Sequence, residues 1–117
     1  LNDRNYRSKE PSFYLNLFKD IVGVTIPRDK KKERIIIETL DEKVHGLMKS
    51  KPIHWSQKEI KNYVGKEQTG KFELHLIPNI EFFGNVLHYG KAIRIIEPLS
   101  IKEEIKEIVE EMRKAYM

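Results

Sequence analysis

Residues 71–98, KFELHLIPNIEFFGNVLHYGKAIRIIEP, decide the fold. Phe72, Leu74 and Leu76 alternate with Glu73 and His75, the period of a strand with one buried face. Asn79 is placed to cap a helix in which Phe83, Val86 and Leu87 form the buried stripe, and Gly90 to close it. The β-branched run after Gly90 predicts a second strand that stops at Pro98.

The same patterns extend outward. Upstream, KEIKNYV (58–64) and KFELHLI flank GKEQTG, whose two glycines suit a turn, so these segments predict a hairpin. ERIIIETL (33–40) predicts another strand. Thr39 and Glu42 then have capping-box spacing for a helix with Val44, Leu47 and Met48 on one face. Gly46 weakens that helix by roughly 1 kcal/mol relative to alanine. Downstream, Ser100 and Glu103 have the same spacing before a helix that lines up Ile101, Ile105, Ile108, Val109, Met112 and Tyr116. At the other end, PSFYLNLFKDIVG (11–23) predicts a short helix capped by Ser12, with Phe13, Leu17, Phe18 and Ile21 at helical spacing.

This order predicts an α+β, ferredoxin-like βαββαβ sandwich with an added C-terminal helix and an N-terminal helical arm. We place the arm or linker at 1–27 and the domain at 28–117. One sheet face carries helices; the other must be solvated, covered by the arm, or used for binding.

At 117 residues the chain suits one domain, and 39% hydrophobic with 34% charged residues suits a folded, highly charged one. It has no cysteine, which excludes thiol chemistry and disulfides and accords with a reducing cytoplasm. No apolar run reaches membrane-spanning length, and LNDRNYRSKEP is too polar for a signal peptide, so no membrane partner is expected. The start at Leu1 is read as a piece of a longer protein. Net charge is +4, unevenly spread: residues 1–71 carry 16 Lys/Arg against 10 Asp/Glu, and residues 72–117 carry 6 against 8. Much of the excess lies in RDKKKER, where Arg28, Lys30, Lys31, Lys32 and Arg34 could attract phosphate or an acidic partner, or form a solvated loop.

Chemistry-bearing patterns are sparse. PIHWSQKEI (52–60) sets His54, Trp55, Ser56 and Gln57 side by side, either as a ligand contact or as a polar corner joining two elements. His54 and Ser56 can share a face of an extended stretch, but no third catalytic member is indicated. His45, His75 and His88 have no metal-ligand spacing. The glutamates of 103–111 interleave with lysines on an amphipathic helix, and the glycines do not form a phosphate-cradling loop. The topology invites an RNA-recognition reading, yet the basic-aromatic signature of that module is missing, with Phe72 the only aromatic in its inner strands. No cofactor and no catalytic residue is expected.

LFKDIVGVTIP, KPIHWSQ, IPNIEFFGNVLHYGKAIRIIEP and IKEEIKEIVEEMRKAY together resemble the C-terminal part of bacterial WYL-domain transcription regulators, in particular the extension called the WCX domain. The likeness covers roughly residues 15–117 and rests on the order of Pro52, His54, Ser56, Gln57, Gly90, Pro98 and Tyr116. Trp55 departs from the pattern, and no Trp-Tyr-Leu motif is present. The resemblance implies a cytoplasmic, non-enzymatic regulatory and oligomerising module, with DNA contacted by a winged helix and ligand sensed by a WYL barrel, both outside this sequence. The apolar surface of the 11–23 helix separately leads us to expect a homodimer, formed through Phe13, Leu17 and Phe18 or through an open sheet edge. The alternative is a nucleotide or oligonucleotide module that uses the basic run with His54 and Gln57; a third reading is a small, acylphosphatase-like hydrolase, which lacks its phosphate loop.

Overall fold

The computed structural model describes residues 18–23, 25–26 and 30–117. Strands β1 (Glu33–Thr39), β2 (Lys58–Lys61), β3 (Gly70–Leu76) and β4 (Ile93–Glu97) form one antiparallel sheet in the order β2-β3-β1-β4. Helix α1 (Glu42–Ser50) connects β1 to β2, α2 (Ile80–His88) connects β3 to β4, and α3 (Leu99–Ala115) follows β4. Each crossover leaves room for one antiparallel strand between the two it joins. That interleaving is the ferredoxin-like α+β sandwich, here with its C-terminal helix. Of the N-terminal arm, Phe13, Leu17 and the Ser12 cap lie outside the described residues.

Register explains the core. Ile35 stands opposite Leu74, and Ile37 opposite Phe72 on one side and Ile95 on the other, so β1, β3 and β4 all turn their apolar residues to one face. Met48 of α1, Phe82, Phe83 and Val86 of α2, and Ile101 of α3 close over it. Asn79 caps α2 as its position predicts, accepting from the Phe82 N–H, and Gly90 takes the left-handed conformation just past the helix.

Several local expectations change. Thr39 does not cap α1: it is the last residue of β1, paired with Gly70 and Ile93, and Asp41 caps instead by accepting from the Val44 N–H. Ser100 is likewise inside α3, which starts at Leu99 directly after Pro98 without a side-chain cap. His45 and Met48 are the buried residues of α1, while Leu47 is exposed. In α2, Phe82 joins Phe83 and Val86 inside, and Leu87 is only half-buried. Strand β2 stops at Lys61, and the turn beyond it closes on a bridge between Gly65 and Gln68.

The helix-free sheet face is a ladder of charges. Arg34 lies 2.5 Å from Glu73 and 3.6 Å from Glu97, and Arg94 lies 2.6 Å from Glu38, which also accepts from the Thr69 hydroxyl. Ile36 is buried between them, flanked in register by Glu73 and Glu97. Phe72 belongs to the core and not to this face, so the ring that the inner strands offer there is the half-exposed imidazole of His75, 3.4 Å from Glu73.

Candidate functional site

The segment from Pro52 to Gln57 lies between the end of α1 and the start of β2, and its side chains reach three different parts of the molecule. Gln57 serves the first. Its Nε2 donates to the Met48 carbonyl (2.7 Å), one of the last carbonyls of α1, which have no partner within the helix. Its Oε1 accepts from the Ile53 N–H (2.9 Å), so one amide side chain ends the helix and fixes the turn after it.

Ser56 serves the second. Its hydroxyl oxygen accepts from the His75 N–H (2.9 Å) and donates toward the His75 carbonyl (3.0 Å), taking both backbone groups of one β3 residue. The same single hydroxyl hydrogen also faces His54 Nδ1, which lies 2.7 Å away, so the carbonyl and the ring nitrogen share one donor.

His54 and Trp55 serve the third. Both His54 Nε2 and Trp55 Nε1 point at the Lys19 carbonyl, each at 2.6 Å. A carbonyl only accepts, so Nε2 carries the hydrogen; the Ser56 N–H donates to Nδ1 (3.2 Å), so Nδ1 does not. His54 is therefore the neutral Nε2–H tautomer. Desolvation by burial holds its pKa below the ordinary histidine range, against the opposing pull of the Lys19 carbonyl and Asp20, while Lys32 adds to the lowering.

The strand of chain received here is secured beyond Lys19. Ile77 N–H donates to the Asp20 carbonyl, Asn79 Nδ2 donates to the carbonyls of Val22 and Thr25 (2.8 Å each), and Thr25 N–H donates to Glu81 Oε1 (2.8 Å). Ile21 is buried. Asn79 thus caps α2 with its oxygen and straps the incoming segment with its nitrogen. No buried side-chain nitrogen or oxygen among the described residues lacks a partner.

Chemically, the corner is committed to backbone groups. The Ser56 hydroxyl is engaged with His75, and the imidazole beside it is backed by a carbonyl and not by a carboxylate, which is not the arrangement that activates a serine. Trp55 is the one large free surface of the motif, 70% exposed with its ring fixed by the Lys19 bond and tilted against His54 at 5.4 Å.

The basic run does not converge on this corner as a free cluster. Lys30 pairs with Glu104 of α3 (2.6 Å), Lys32 with Asp20 (3.3 Å), and Arg34 with Glu73. Lys31 is exposed, and Arg28 lies outside the described residues. Of the self-association residues, Phe18 is 41% exposed. Glu73 is held below the ordinary carboxylate range by the Arg34 hydrogen bond first. For Glu38 burial pushes upward, but the hydrogen bonds from Thr69 and Arg94 prevail and lower it.

One constellation escaped the sequence. His45, with no partner visible along the chain, has Nδ1 2.7 Å from the Thr39 hydroxyl and Nε2 2.5 Å from Glu59, and stacks on Phe72 at 4.6 Å. A hydroxyl, an imidazole and a carboxylate in series are the parts of a hydrolytic triad, yet Thr39 is fully buried, so no substrate reaches its oxygen. The chain pins the short edge strand β2 to α1 and β1. Among the described residues no group of three or more His, Cys, Asp or Glu could hold a metal ion, and no helix is long and apolar enough to cross a membrane.

The fold and corner define the class as a ferredoxin-like α+β domain with a strapped entry segment. No protein-family model matches the chain, and no curated protein matches it.

Proposed function

We propose that the chain is a regulatory module of a WYL-type transcription regulator, corresponding to its C-terminal extension, which works by assembly and by relaying position and not by catalysis. The observation that supports this reading is the shared Lys19 carbonyl, held by His54 and Trp55 at 2.6 Å each. Through Ser56 and Gln57 the same six-residue corner grips β3 and α1, so a displacement of the entering segment is felt at the sheet and at a helix end. A relay between an upstream sensing part and this domain needs that kind of rigid joint. The exposed Phe18 at its outer edge is a natural place for two copies to meet. An oligonucleotide-binding role would require Lys30, Lys32 and Arg34 to leave the carboxylates they face.

Two measurements on His54→Ala and Gln57→Ala test the proposal: a thermal melt, and a titration with a single-stranded oligonucleotide at low and high salt. A joint predicts a loss of about 1–3 kcal/mol of stability in each variant, the usual cost of an unpaired buried group, with unchanged weak anion affinity. Variants of unaltered stability that lose oligonucleotide binding would make the corner an effector contact and overturn it.

A further inference from the structure

Residues 72–117 hold six Lys/Arg and eight Glu, and the structure sorts them. Among the described residues, Lys91, Lys102, Lys106 and Arg113 line two adjoining grooves between α2 and α3, of about 480 and 290 Å³, with Glu110 the one glutamate in the lining. Arg113 lies 3.6 Å from Glu110 and Lys106 3.9 Å from Glu103, both exposed pairs along α3 that hold little energy, while Lys91 and Lys102 face no carboxylate of the described residues within ion-pair distance. Arg94 also borders them, but its guanidinium is held by Glu38. The floor is apolar, built from Leu87, Val109, Met112 and Tyr116.

The groove exists because α3 docks by its first turns only. Ile101 is buried and Ile105 and Ile108 are half-buried, but the stripe then continues past the sheet, leaving Val109 49%, Met112 48% and Tyr116 91% exposed. Lys102, Lys106 and Arg113 run along the solvent edge of that stripe at helical spacing, with Lys91 across from them in the turn after α2. From Lys102 to Tyr116 the wall spans about 21 Å, room for about four helical turns.

From this geometry we infer that the α2–α3 groove receives an acidic amphipathic helix of a partner protein, apolar residues on the floor and carboxylates against the lysine and arginine rim. Charge decides among occupants. A second copy would bring the same basic rim against this one, which like charges oppose.

The test uses synthetic peptides in fluorescence anisotropy: a leucine-striped helix flanked by glutamates, and the same stripe flanked by lysines. The acidic peptide should bind, bind more weakly as salt rises, and lose about tenfold or more in affinity to the K102E/K106E double variant, which should then prefer the lysine-flanked peptide. Val109→Glu should abolish both. The rim is solvent-exposed, so the charge swap decides the matter even if Val109→Glu destabilises the fold. Equal binding of the two peptides, no binding of either, capture by phosphatidylserine vesicles in place of the acidic peptide, or a dimer dispersed by Val109→Glu would each overturn the inference.

Discussion

Ser56 stands opposite His75 in the register that Lys58 and Glu73 set, and its hydroxyl replaces the backbone that β2 would otherwise have supplied there. The edge strand is short because a side chain finishes its work. This frees the backbone of residues 52–57 to turn toward the entry segment while β3 keeps both its polar groups satisfied.

Removing that hydroxyl should therefore be costly for so small a change. Ser56→Ala leaves both polar groups of His75 without their partner and removes a neighbour of His54, and a loss of about 1–3 kcal/mol in urea unfolding is expected. Ser56→Thr keeps the hydroxyl and should recover most of it.

The neutral state of His54 gives a pH signature. Its folded pKa lies below the unfolded value of about 6.5, so the unfolded chain binds the extra proton. The contribution is complete above that unfolded value and is lost as pH falls toward the folded pKa. Melting curves stepped downward from neutrality should show stability declining before the lowered carboxylates, Glu38 and Glu73, begin to matter. In His54→Gln that part of the decline should disappear.

Gly70 has no room for a methyl group. A Cβ there would overlap the His45 ring and the Thr39 hydroxyl, so Gly70→Ala should destabilise by the upper end of the ~1–3 kcal/mol typical of overpacking. His45→Ala alone should also destabilise, since it leaves Thr39 and Glu59 without the imidazole. Together the two changes should cost less than their sum, because the alanine at 45 vacates the space; a double-mutant cycle measures that coupling.

What the sequence made legible follows from local physics. Alternation at Phe72, Leu74 and Leu76 reports a one-sided strand, and Asn79 has the side chain and position of a cap, so the order of elements could be read directly. The cap of α1 could not: Thr39 and Asp41 both suit the role by local chemistry, and pairing with Gly70 and Ile93 claims Thr39 for the sheet. The partners of His45 come from three elements that meet only once the register is set. The PIHWSQ motif was visible as a polar cluster, but its main acceptor, Lys19, lies 35 residues before His54, and no spacing rule links the two.

The PIHWSQ corner holds the entry segment to the domain, and the Ile77 amide reports on it. That N–H donates to the Asp20 carbonyl, next to the carbonyl gripped by His54 and Trp55. Native-state hydrogen exchange of His54→Ala should show Ile77 losing about tenfold or more of its protection, beyond any loss at the central amides of β1. Ile77 protection that falls only in step with β1, or does not change, would show that the corner does not hold the segment.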